Sequence, residues 1–173
     1  MKKEILIDMK KLNIYYIVIQ LLSMVVLSLI DLKLKPFLIF RIRWYMVVYI
    51  LFIFLIHEVL HGVGFKIIGK VPWKNIKIGF NKKFMAPFCT CKDLLMTKRQ
   101  YIAVMLLPNV VLSLLTLIIM IKSNNLFWAF ISGYVIGSGA GDYLMVIEAL
   151  KCPEGVKFKE HPKQAGLYIL LEG

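Results

Sequence analysis

Residues 44–65 read WYMVVYILFIFLIHEVLHGVGF. As a helix rising 1.5 Å per residue, this stretch covers about 33 Å, roughly the hydrocarbon thickness of a bilayer. Its only carboxylate, Glu58, and its two imidazoles, His57 and His61, are crowded into the last turns. They form the pattern H-E-x-x-H. Residues four apart share one face of a helix, so both imidazoles can reach one metal ion. Glu58 follows His57 on the same side, beside the metal and outside its ligand set. In such a site zinc acidifies water, and the glutamate accepts the proton as the water attacks a carbonyl. Chance matches to five residues are common in soluble chains. Here two of the chain's three histidines flank a carboxylate inside an apolar span, where ionisable groups are costly and mark function.

Outward from this stretch the chain remains apolar. Of 173 residues 60% are hydrophobic, and the mean hydropathy is +0.75. Soluble domains run about 45–50% apolar, so composition alone points to a membrane protein. Three further stretches, 14–30, 101–121 and 126–150, suit a bilayer crossing. The basic flank of the first (Lys2, Lys3, Lys10, Lys11) resembles a signal peptide, but no small-x-small site follows, so an uncleaved anchor is expected. The net charge of +12 reflects topology rather than nucleic-acid binding. An N-inside arrangement puts 17 Lys and Arg on one side and 5 on the other. The positive-inside rule then places both termini and residues 66–100 in the cytoplasm. Cys89, Cys91 and Cys152 would be cytoplasmic too, where thiols stay reduced. We expect neither a disulfide framework nor a second metal site from them.

The polar segment 66–100 is broken by Gly69, Pro72, Gly79 and Pro87, against one long helix. Ile76, Ile78 and Phe80 alternate with Lys77 and Gly79, and Asn81-Lys82-Lys83 is a turn candidate. Phe84–Cys91 can return as an edge strand, a position that Pro87 tolerates. The alternative is an irregular basic loop on anionic headgroups. In the tail, Leu167–Leu171 is a possible strand. The expected fold is an all-α polytopic membrane protein. It has about four transmembrane helices, a membrane-associated β-hairpin between spans two and three, and a single domain over 1–173.

A catalytic zinc needs a third protein ligand and an open fourth position. Taking Lys66, Arg99 and Lys151 as boundary markers, His57 and Asp142 each lie nine residues in and Asn109 ten. That places all three about 14–15 Å deep. Asp142 is expected as the ligand; its other role is a polar residue in a glycine-rich packing seam, Gly137-Ser138-Gly139-Ala140-Gly141. A tight seam would serve both. Asn109 either satisfies a backbone group freed by Pro108 or donates to substrate or the oxyanion. Glu148 suits an interfacial charge, and His161 lies in the tail.

With H-E-x-x-H in one span and Gly137-Ser138-Gly139-Ala140-Gly141-Asp142 in a later one, the chain resembles the site-2 protease class of intramembrane zinc metalloproteases. More closely it looks like the small bacterial putative zincin peptidase family of that kind. The likeness covers about residues 44–165, including His57–Gly62, Pro87-Phe88-Cys89, Leu106-Leu107-Pro108 and Asp142. It implies Zn²⁺ held by His57, His61 and Asp142, with Glu58 as catalytic base, in a prokaryotic cytoplasmic membrane. Asp142 is followed by Tyr143 where better-studied site-2 proteases carry Asp-Gly. The substrate would be a membrane protein or peptide, cleaved in or near a transmembrane helix. With no PDZ or other regulatory domain in these residues, recognition would come from the membrane core and the hairpin, by strand addition. Two other classes compete. A catalytically silent metal-binding membrane or immunity protein would not require Glu58, and a cation carrier would need more polar residues in its spans. A rhomboid-type serine protease fails on the surroundings of Ser138.

Overall fold

The computed structural model describes residues 2–6, 9–35, 37, 39–81, 86–91, 94–160 and 166–170. Its helices are α1 (Met9–Leu34), α2 (Trp44–Ile67), α3 (Lys98–Lys122) and the pair α4 (Phe127–Ser138) and α5 (Ala140–Leu150). They make four stretches long and apolar enough to cross a membrane: Leu12–Leu34, Trp44–Ile67, Lys98–Lys122 and Phe127–Leu150. Leu22, Leu51 and Leu114 are each more than half exposed. An all-apolar helix surface of this kind suits hydrocarbon on the outside as well as protein on the inside. The expected fold class is found. The fourth span differs from the continuous helix expected over 126–150, because it breaks at Gly139.

Helix α1 lies along α4. A methyl group at Gly133 would collide with the Met24 backbone, and one at Gly137 with the Gln20 backbone. Small residues four apart thus bring the two backbones together, the usual device where helices meet in lipid. The Ser23 hydroxyl donates to the Gly133 carbonyl at 2.6 Å across the same contact. At the far end of the bundle, Lys35 Nζ meets Asp31 Oδ1 at 2.9 Å and donates to the Met120 and Ser123 carbonyls at 2.6 Å. It caps the C-terminus of α3 while pairing the buried Asp31.

The hairpin forms from β2 (Ile76–Asn81) and β3 (Ala86–Cys91), antiparallel with Ile78 opposite Cys89. Lys82 and Lys83 of the expected turn and His161 of the tail lie outside the described residues. Gly62 of α2 lets the pair lie close: Ile78, Cys89 and Trp73 all pack over it. At the same end a second sheet gathers distant parts of the chain. Its strands are β1 (Lys2–Leu6), β4 (Met96–Thr97), β5 (Lys157–Glu160) and β6 (Gly166–Leu170), in the order β1-β6-β5-β4. Only β6 was foreshadowed, by the stretch 167–171. Tyr101 of α3 stacks on Phe158 of β5 with ring centroids 5.3 Å apart, which seats the sheet on the helices. Thr97 starts α3 with a reciprocal cap, its hydroxyl accepting the Gln100 amide at 3.3 Å while Gln100 Oε1 accepts the Thr97 amide at 3.0 Å.

The buried apolar core divides in two. One cluster, toward the sheets, includes Phe65, Val104, Met105 and Val146; the other includes Ile53, Leu112, Ile131 and Val135. On each of the three inner spans a polar site residue falls between members of the two clusters: His57 and His61 on α2, Asn109 on α3, Asp142 on α5.

Candidate metal centre

Because α2 is regular through its motif, the His57 and His61 rings stand one turn apart, centroids 4.9 Å apart and tilted 74°. Asp142 reaches them from the first turn of α5. His57 Nε2 lies 3.1 Å from Asp142 Oδ2, and His61 Nε2 lies 3.4 Å from Asp142 Oδ1. One ligand atom from each residue can be chosen so that all three lie within 4.8 Å of one another, close enough to hold a metal ion. Bonds of about 2.0–2.1 Å to tetrahedral zinc give a ligand-to-ligand edge of about 3.3 Å, and each imidazole lies near that spacing from its own carboxylate oxygen. The donor set of two neutral imidazoles and a carboxylate is also one that zinc accepts.

The tautomer of His61 follows from its other nitrogen. Nδ1 lies 3.2 Å from the Val104 carbonyl, which can only accept, so Nδ1 carries a proton, and Nε2 is the nitrogen left to offer its lone pair to a bound metal. That carbonyl is available for a reason written in the sequence. In a regular helix Val104 would accept from the amide of residue 108, and Pro108 has none.

Asn109 is buried, and its amide Nδ2 donates to Asp142 Oδ2 at 2.7 Å. The donor expected to face substrate or the oxyanion is thus engaged with the carboxylate. The amide oxygen is turned to Gly139, where an added methyl would overlap it, and it has no hydrogen-bond partner among the described residues. The break between α4 and α5 therefore sits where the Asn109 side chain passes.

Glu58 is half-buried and takes a hydrogen bond from the Cys89 backbone amide of β3. It lines a cavity of about 120 Å³ with Ile53, Phe54, His57, Pro87 and Ser138. A larger cleft of about 340 Å³, beside Thr97, Arg99 and Gly155, includes none of these groups. Glu148 pairs with Lys151 at 2.5 Å, and its backbone carbonyl accepts from the Cys152 thiol at 3.3 Å.

Residues 50–157 match the family described as "Putative zincin peptidase". The chain belongs to the Putative zincin peptidase family. The matched segment contains His57, Glu58, His61, Asn109 and Asp142 and leaves out α1, β1 and β6. Membership in this zincin family implies zinc at the centre. No curated protein and no solved structure matches the chain. Sequence reasoning missed the Val104 carbonyl, the Gly139 break, Phe54, and Ser138 as a cavity wall. Only the first had a signal, a proline four residues after the carbonyl it frees.

Proposed function

We propose that this member of the Putative zincin peptidase family is an intramembrane zinc metalloprotease of the site-2 type. On this reading it hydrolyses a peptide bond in or near a transmembrane helix of a substrate protein. The observation that carries it is the cavity beside the metal group. Glu58 lines that cavity along with His57, at the depth where a membrane-spanning substrate would have to unwind. When bound, zinc supplies a Lewis acid that acidifies water and polarises a carbonyl. Glu58 takes the proton from the attacking water and returns it to the leaving amine. The Cys89 amide holds the Glu58 carboxylate, and the apolar walls Ile53, Phe54 and Pro87 limit access of bulk water.

Strand β3 presents an edge beside Glu58, which takes the Cys89 amide. An extended substrate backbone can add along that edge and lay its scissile carbonyl over the cavity. Both termini and residues 66–100 face the cytoplasm on this reading, by the 17-to-5 distribution of Lys and Arg. Thiol labelling of intact cells from outside should therefore miss Cys89, Cys91 and Cys152, and efficient labelling would reverse the orientation.

The deciding experiment is Glu58→Gln, with cleavage of a co-expressed single-span substrate and the zinc content measured together. Zinc retained with cleavage abolished supports the protease. Zinc lost makes Glu58 a ligand. Zinc and full cleavage both retained leaves a metal-binding membrane protein whose motif is not catalytic.

A further inference from the structure

Helix α3 contributes no ligand to the metal group, yet two consecutive residues of it act on two of the three ligands. We infer that α3 is the positioning element of the centre: Pro108 frees the Val104 carbonyl that orients His61, and Asn109 orients Asp142. The inference rests on the metal reading of His57, His61 and Asp142.

The geometry of the first half is a substitution of donors. Without an amide at 108, the Val104 carbonyl has no partner one turn ahead, and the proline ring presses that carbonyl away from the helix axis. His61 Nδ1 occupies the open acceptor at 3.2 Å. A buried carbonyl in an apolar bundle must find a donor, so the imidazole is held in one rotation and one tautomer, with Nε2 directed at Asp142. Substituting a residue with an amide at 108 restores the local partner and draws the carbonyl back along the helix.

The second half depends on Gly139. Asp142 Oδ2 is shared between His57 and the Asn109 amide, which fixes the plane of the carboxylate. Asn109 can reach it only because position 139 has no side chain; a Cβ there would overlap the Asn109 amide group. A carboxylate accepts and never donates, so the amide must present Nδ2, leaving Oδ1 against Gly139. An amide oxygen buried without a partner is unfavourable. The unpaired atom is the consequence of turning the amide toward the ligand.

The test uses the full chain purified in detergent. Zinc affinity is measured by chelator competition, and the bound Co²⁺ spectrum is recorded. Thermal unfolding of zinc-free protein is measured separately. Asn109→Ala should weaken zinc about 10- to 100-fold, the usual effect of removing a group that orients a metal ligand. It should also change the Co²⁺ spectrum. Pro108→Ala should weaken zinc about 10-fold, while the zinc-free protein melts at the same or a higher temperature, because its helix gains a hydrogen bond. Gly139→Ala should weaken zinc in the presence of Asn109 and add nothing to Asn109→Ala, whose truncation makes room for the methyl. Affinities within twofold of wild type in Asn109→Ala and Pro108→Ala would overturn the inference, as would losses that only track zinc-free stability. Wild type that binds no more zinc than His57→Ala would overturn the metal reading itself, a result distinct from either.

Discussion

Helix α2 and the α4–α5 pair bring candidate metal ligands to one point by opposite means. Helix α2 runs unbroken from Trp44 to Ile67, and its own 3.6-residue period sets His57 beside His61. The fourth span must break at Gly139, and it is placed by what presses on it from both sides. Helix α1 locks against Gly133 and Gly137, and Asn109 fills the room at Gly139. Two ligands from a periodic segment need little beyond the helix itself. A third from another span needs a framework that fixes rotation and depth, and most of the close glycine packing in this molecule is spent there.

That contrast can be broken at the chemistry first. Glu58→Gln should lower cleavage by about 10²–10⁴ with zinc retained, because only proton transfer is removed. Ligand removal should show the symmetry of the finished site despite its unequal construction. His57→Ala, His61→Ala and Asp142→Ala are each expected to reduce bound zinc to background by metal analysis, and Asp142→Ala retaining a full equivalent would reassign the third ligand. Next comes the framework. Gly137→Leu places a large side chain against the Gln20 backbone and should cost about 1–3 kcal/mol in stability. Zinc affinity should fall with it, since α5 follows α4. Leu51→Ala on the exposed face of α2 should change zinc binding little, because Leu51 is 67% exposed. If Gly137→Leu spares zinc binding, α1 is not part of the framework. The smallest effect belongs to the α3 cap: Thr97→Ala should cost about 1 kcal/mol in thermal unfolding and leave zinc affinity unchanged.

Much of the site was legible before any coordinates. The spacing of His57 and His61 is a property of one helix, and the matched depths of His57, Asn109 and Asp142 follow from counting residues inward from Lys66, Arg99 and Lys151. The hairpin was legible from alternation at Ile76, Ile78 and Phe80 and from the breakers around it. The four-stranded sheet was not, since β1 and β6 come from opposite ends of the chain and β4 has only two residues. Strands that short carry no period of their own, and their pairing is decided by where the helices leave them.

The amino-acid sequence by itself determined the apolar spans, the paired imidazoles on α2 and the depth of the acid opposite. These are counting properties: helix rise, side-chain period and the cost of charge in hydrocarbon depend on residue order alone. Only the tertiary structure decided that Asn109 faces Asp142, that His61 takes the carbonyl freed by Pro108, and that the fourth span breaks at Gly139. Depth along a helix is fixed by number, whereas rotation about its axis is settled by which neighbour presses on which face. In this molecule those neighbours meet through glycines that let another residue's atoms stand where a side chain would be.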